Sequence, residues 1–388
     1  MIPIDSLRGR IVLILGHCAG MVDLVAMPLW VGALVTRYGF DPQQAGGLAT
    51  LFLAGVVVAS VVLAPLFTRL RGRRIATIGF ATSAVGCGLA ATVNDFATLA
   101  LLHALSGLAT GAALSFTHGT IARSARPQRL FAFAGTGLGV FAVLINVTTP
   151  MAIGAVGGPG LFMVFCAVMA VAALACLLGF PQGAQQTGPV THAAAPAPLL
   201  PAVWFGIAGI ALLALVQSMT FAFVEPLGRD KGFTAEMITS VLVAVALTTL
   251  FPAALAAVLE KRLSPKGVLL GGPLLQGLLV ASLVSVTGLL PYGAAACLLP
   301  SIVIFTHTFA FGLLARLDPS GRALAATPAM LMAGAASGPI IGGTLIKFFG
   351  YSSLGVAAAL LSTVAFLCFS RLPSGRGTVA SPALATTA

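Results

Sequence analysis

One acid stands alone in the first apolar run of the chain. Asp23, in MVDLVAMPLW, is the only Asp, Glu, Lys or Arg between Arg10 and Arg37. If that run crosses a membrane, an acidic side chain facing hydrocarbon costs about 2.5 to 3.5 kcal/mol even on a mild insertion scale, so Asp23 must face the protein interior. Such a carboxyl can be neutral in one state and ionised in another, as a proton carrier requires. Four histidines, His17, His103, His118 and His307, sit in similarly apolar surroundings, and imidazole is the side chain that titrates nearest neutrality. His17, His118 and His307 read as hydrogen-bonded packing, with lining of a solute path as the alternative. Glu225, beside Pro226, is either an outer gate that attracts cations or a helix-end carboxylate paired with Arg229. Asn146, Gln217 and Gln276 are amides in apolar runs, able to bind a solute or to join helices. Trp30 and Phe221 offer apolar or stacking surface.

What is missing narrows the chemistry further. No Lys or Arg falls near the middle of any apolar run, so an anionic solute lacks its counter-charge and neutral or cationic organic molecules fit better. No Gly-Lys-Ser/Thr phosphate loop occurs, which argues against ATP as a drive and leaves an ion gradient, with no cofactor expected. The six cysteines lie inside apolar runs without C-x-x-C spacing and read as small packing residues, neither metal ligands nor disulfides. An enzyme would need a nucleophile, base or metal cluster at a membrane face, and a channel a continuous polar stripe. Neither pattern is present.

These residues are carried by a chain of 388 residues that is 59% hydrophobic and 7% charged, with a mean hydropathy of +1.07. A soluble chain is about half apolar and a quarter charged, so this is a membrane protein. Runs able to cross about 30 Å of hydrocarbon as helices recur along it. The sequence predicts twelve, at 11 to 36, 43 to 68, 75 to 93, 97 to 122, 130 to 153, 160 to 180, 201 to 225, 235 to 259, 267 to 288, 291 to 315, 323 to 347 and 351 to 370. The alternating ten-residue strands of a barrel are absent, and lipid-embedded backbone must be hydrogen-bonded internally, so the fold class is all-α. With this layout only Arg37, Arg229, Lys231 and Lys347 of the 20 Lys and Arg fall on one side. The other sixteen mark the cytoplasmic side, which also receives both termini. The net charge of +11 is thereby explained by topology and anionic lipid rather than by nucleic acid. No cleavable signal peptide is expected, because MIPIDSLRGR runs straight into a span too long for one.

The chain also repeats. At an offset of 193, Gly39-Phe40 falls on Gly232-Phe233, Arg69-Leu70 on Arg262-Leu263, Arg73 on Lys266, Ala122-Arg123 on Ala315-Arg316, Arg129 on Arg322 and Gly157 on Gly350. Coincident cations in so charge-poor a chain indicate a duplication. The expected organisation is two pseudo-symmetric six-helix bundles in the same orientation, residues 1–180 and 201–372. A tether at 181–200 and a disordered tail at 373–388 complete it.

The residues resemble the major facilitator superfamily along essentially the whole chain. Its loop between helices 2 and 3 reads G-x-L-x-D-R-x-G-R-R, and APLFTRLRGRR supplies Arg69, Gly72, Arg73 and Arg74 at matching positions, with Thr68 where the family has Asp. The resemblance implies a gating role for this cluster and, in the second half, for Arg262 with Glu260 offering the carboxylate. More narrowly, the chain is similar to the twelve-helix drug and sugar efflux antiporters. VNDFATLALLHALSGLATG follows that branch's helix 4 with Asn94, Phe96, Gly107 and Gly111 in step and His103 at its Arg position. GAASGPIIGG carries the antiporter glycine pattern at Gly334, Gly338, Pro339, Gly342 and Gly343, in helix 11 instead of the usual helix 5. Close helix packing is the equal alternative for that string. The resemblance implies that His103 partners Asp23 in proton movement and that helices 5 and 7 line the cavity, which favours Asn146 and Gln217.

The expectation is therefore a proton-coupled secondary transporter of small organic molecules, working by alternating access of two halves. Its main form is efflux by antiport, and its alternative is import of a neutral or weakly acidic solute by proton symport. Expected partners are the solute, protons and membrane lipid, for a monomer in the plasma membrane, bacterial inner membrane in particular.

Overall fold

The computed structural model of the chain describes residues 2–63, 66, 67, 69–181, 200–318 and 322–373, with backbone alone over 322–330. Thr68 and nearly all of the expected tether and tail lie outside the described residues. The architecture is all-helical: α1 (Leu7–Gly20), α2 (Val22–Thr36), α3 (Pro42–Leu63), α4 (Gly72–Ala90), α5 (Phe96–Ile121), α6 (Pro127–Val156), α7 (Pro159–Gly179), α8 (Pro201–Phe221), α9 (Val224–Asp230), α10 (Ala235–Thr248), α11 (Pro252–Leu259), α12 (Pro265–Ser285), α13 (Leu289–Leu317), α14 (Arg322–Phe349) and α15 (Ser352–Ser370).

Local chemistry sets the helix ends. Ser6, Asp95, Thr234 and Ser264 cap α1, α5, α10 and α12, each side chain accepting a backbone N–H three residues on. Proline opens α6, α7, α8, α11 and α12, where its missing N–H costs nothing. Four glycines, Gly39, Gly157, Gly232 and Gly350, have φ between 71° and 83°. They follow helix ends and take the left-handed conformation that side chains disfavour.

Those glycines form two pairs 193 residues apart. The same offset relates the Asp41 and Thr234 caps, which accept from Gln44 N and Met237 N. It also relates the turn bonds Gly160 N to Gly157 O and Ser353 N to Gly350 O, at 3.0 and 3.2 Å. The offset read from loop residues thus recurs in backbone conformation.

Eleven stretches are long and apolar enough to cross a membrane among the described residues, against the twelve expected. The one that falls short is α4, which opens with Arg73 and Arg74 and so dilutes its apolar run. Three expected spans are also interrupted. The first breaks at Met21 between α1 and α2, the seventh at Ala222 and Phe223 between α8 and α9, and the eighth at Thr249 to Phe251 before Pro252. Irregular backbone at membrane depth is tolerated where it is buried in protein or lines a cavity.

Packing relies on glycine. Gly107 and Gly111 press on the carbonyls of Phe52 and Val56, closing α5 on α3. In α14, Gly334, Gly338 and Gly342 lie against the α8 backbone at Ala211, Ser218 and Met219, while Gly343 meets Pro42 and the Pro339 carbonyl meets Gly46 of α3. The glycine string of α14 therefore does what close helix packing requires, on two faces. Trp30 is 1% exposed and sits among Phe52, Phe165 and His103. Side chains such as Val85, Leu174, Leu278 and Leu360 are more than half exposed, as a lipid-facing surface would have them.

Candidate functional site

The polar residues of the interior divide between a cavity and the helix packing around it. A cavity of about 460 Å³ is bounded by α2, α6, α8, α10, α13 and α14. Three of its walls are helix breaks or their flanks: Met21, Phe221, and Thr249 with Leu250. Its polar lining is Asn146, Gln217, Ser218, Thr249 and His307, and no Asp, Glu, Lys or Arg is among the lining residues. Asn146 Nδ2 donates to Ala142 O at 2.9 Å, which leaves Oδ1 without a partner, and Gln217 Oε1 is also unpartnered. Two unpartnered amide oxygens, both buried in the wall of an apolar, uncharged chamber, leave acceptor capacity that an N–H or O–H group of a neutral solute would satisfy. Phe221 and the apolar walls, Met27, Leu138 and Val303 among them, fit a flat or aliphatic face.

Asp23 is 2% exposed, so it points into protein and not into lipid. It lies in the first turn of α2, two residues past the break, between Met21 and Leu24 of the cavity wall. A helix N-terminus supplies free backbone N–H groups and a favourable dipole for a carboxylate. Its Oδ1 has no hydrogen-bond partner.

Trp30, Glu225 and His118, each weighed as a residue of the solute path, are not among the lining residues of this cavity. Both ring nitrogens of His103 are occupied, since Nδ1 donates to Leu99 O at 2.6 Å and Nε2 accepts from Trp30 Nε1 at 3.2 Å. The His103 and Trp30 rings stack with centroids 5.3 Å apart. His103 is thus joined to Trp30, and no hydrogen bond links it to Asp23. His118 Nε2 is 2.8 Å from His17 Nδ1, joining α5 to α1. Gln276 Nε2 donates to Leu213 O at 2.9 Å and holds α12 to α8. Glu225 is 4% exposed, paired with Arg229 and pressed against Gly32 of α2.

Among the described residues, polar ties join α14 to the start of α3 at the arginine-poor end. Lys347 of α14 lies 2.9 Å from Asp41 Oδ2 and donates to Gln43 Oε1 at 3.0 Å, while Gln43 Nε2 donates to Thr344 Oγ1 at 3.2 Å. Deeper in, Ile340 N donates to Thr50 Oγ1 at 3.1 Å. Burial raises the Asp41 carboxyl, but the Gln44 amide and then Lys347 outweigh it and hold the group below the usual carboxylate range. Nothing in the sequence pattern pairs Asp41 with Lys347, although they are two of the few charges on that side.

At the arginine-rich end the arginines expected to gate have mixed surroundings. Arg73 donates to Leu177 O, Arg8 Nη2 donates to Leu178 O at 2.8 Å, and Gly72 lies against Phe180. The Arg123 guanidinium stands 4.4 Å over the Phe67 ring. Arg69 and Arg74 make no side-chain hydrogen bond or ion pair among the described residues. Among the described residues no ion pair joins Glu260 to Arg262.

A helical membrane chain with a chamber between broken helices is the geometry of a solute carrier, and comparison with known proteins places it. The family model of the Major Facilitator Superfamily matches residues 12–319. The chain belongs to the Major Facilitator Superfamily. It is an integral membrane transporter of that superfamily and not an enzyme. The crystal structure of the nucleoside transporter NupG is similar in fold, with a TM-score of 0.71 at 15% identity, covering 94% of this chain and 98% of that one. A structure of a point mutant of that transporter gives 0.70 at 14% identity, over 94% and 99% of the two chains. No curated protein matches the sequence.

Proposed function

We propose that the chain is a proton-coupled symporter that imports a small neutral organic solute by alternating access. The observation that carries this reading is the uncharged cavity with two unpartnered amide oxygens, Asn146 Oδ1 and Gln217 Oε1, beside the buried Asp23. A solute with N–H or O–H donors and one apolar face fits those walls, and a charged one would be left unpaired. Nucleosides meet this description, and the similar solved structures are of a nucleoside transporter.

Efflux by antiport loses its main support, because every residue of the α14 glycine pattern is accounted for by contact with α3 or α8. Asp23 takes up the proton and His103 steadies α2 through Trp30. The spans number twelve when α4 is included, grouped as α1 to α7 and α8 to α15. The two groups rock about the cavity, and the recurrence of turns and caps at one offset supports their duplication. The arginine-rich end is cytoplasmic, in a bacterial inner membrane, and the carrier acts as a monomer.

The test is uptake into proteoliposomes with an imposed pH gradient, across nucleosides and other neutral heterocycles. We expect accumulation when the outside is acidic and collapse with a protonophore. Flux indifferent to the gradient, or driven only outward against incoming protons, overturns the proposal.

A further inference from the structure

At the arginine-rich end, away from the central chamber, a second recess of about 380 Å³ lies between the start of α1 and the start of α6. Its walls are Asp5, Arg10, Arg126, Arg129, Leu130 and Phe133, together with Ala125. Three guanidinium groups face one carboxylate. That carboxylate is already engaged, since Asp5 Oδ1 is 3.6 Å from Arg10 Nη2 and Oδ2 accepts from Ala125 N at 3.1 Å. Arg126 and Arg129 have no ion pair among the described residues, and the Arg129 guanidinium rests 5.4 Å over the Phe133 ring. The recess thus keeps an uncompensated positive charge of about two, held on an aromatic floor.

Below the recess the surface becomes apolar along both helices. Phe133, Val140 and Leu144 of α6 are 46 to 57% exposed, and Leu7, Ile11 and Leu15 of α1 are 38 to 76% exposed. Their spacings, seven and eleven residues on α6 and four and eight on α1, keep each set on one helix face. Gly137, between them, touches Ile14 and Cys18, so the two stripes flank a seam between α1 and α6.

We infer that this recess binds the phosphodiester headgroup of an anionic phospholipid, with its acyl chains lying along the α1 and α6 stripes. Guanidinium forks match phosphate oxygens two at a time. Basic recesses at the ends of membrane helices attract anionic lipid more strongly with each added cation. A free phosphate compound would satisfy the arginines but leave the stripes unused.

The experiment needs no knowledge of the transported solute, so its outcome is separable from the proposed transport activity. The purified full chain is mixed in detergent with phosphatidylglycerol, phosphatidylcholine or inorganic phosphate, and retained lipid is counted by native mass spectrometry. We expect retention of phosphatidylglycerol over phosphatidylcholine. The Arg126→Gln, Arg129→Gln double variant should weaken it by tenfold or more. A control removing equal charge elsewhere, Arg71→Gln with Arg74→Gln, should retain it, and Asp5→Asn, which removes the opposing charge, should strengthen it. Equal retention by the double variant and the control, or of both lipids by the unaltered chain, overturns the inference. So does displacement of the retained phosphatidylglycerol by millimolar inorganic phosphate, which would mark a free-anion site.

Discussion

Lys347 Nζ and Asp41 Oδ2 are 2.9 Å apart, joining two helices, α14 and α3, whose residues are separated by some three hundred positions of sequence. Behind this pair, Gly46 and Gly343 bring the two helices to backbone contact. The ion pair is partly exposed, so it contributes at most about 1 kcal/mol. Removing it with Lys347→Met or Asp41→Asn should raise the rate at which a cysteine placed at Thr344 is labelled from the arginine-poor side, by up to about fivefold. Because Asp41 is held below the usual carboxylate range, it stays ionised from neutral pH down through that range, and the ion pair weakens only as the pH falls below it. The labelling rate of the otherwise unaltered chain should therefore be flat between about pH 8 and 5. An increase on mild acidification that Asp41→Asn abolishes would show that Asp41 is not held below the usual carboxylate range.

Replacing Asp23 with Asn keeps its size and removes its charge. Gradient-driven uptake should be abolished in Asp23→Asn, while solute exchange across membranes without a gradient persists. Normal pH-driven accumulation in that variant would remove Asp23 from the coupling step.

Asn146→Ala and Gln217→Ala each delete one unpartnered amide oxygen from the chamber. A hydrogen bond is worth about 0.5 to 1.5 kcal/mol net, so each change should weaken solute binding by about two- to twelvefold without unfolding the chain. Gln276→Ala serves as contrast. It cuts the tie to Leu213 O, away from the chamber, and should lower thermal stability with little effect on affinity. Calorimetry on the purified protein and a binding titration separate the two outcomes.

Glycines within the helices should fall into two classes. A Cβ at Gly107 would collide with the Phe52 carbonyl, so Gly107→Ala forces α5 away from α3 and should lower the unfolding temperature clearly. Gly154, inside α6, has nothing within 4 Å of such a Cβ. There Gly154→Ala should be neutral or stabilise by up to about 1 kcal/mol, because alanine is the better helix former. Similar losses at both positions would mean that the α3 to α5 contact is not limiting.

The helices and the 193-residue offset were legible because charge is scarce: a few coincident cations and turn glycines stand out against an apolar background. Asn146 and Gln217 were singled out through the resemblance alone, and His307, read first as packing, stands beside them in the cavity lining with Phe221. Less could be read about direction, since hydropathy does not say which face of a helix a side chain occupies. Trp30 and His103 face each other in packing, His118 turns to His17, and Glu225 folds back on Arg229. Helix breaks at Met21 and Thr249 were invisible in composition. Only Pro252 signalled the latter, and Met21 is flanked by residues equally at home in an unbroken helix.

Helix α14 holds α8 with Gly334, Gly338 and Gly342 and α3 with Pro339 and Gly343, main chain against main chain on both sides. Such seams leave no side-chain cushion to shear, so sliding along either is resisted by whole rows of carbonyls. A motion that parts α14 from α3 while the α8 seam holds would carry α8 with it as luggage. In that sense α14 is a keel: whatever tilts, its grip on α8 decides which helices travel together.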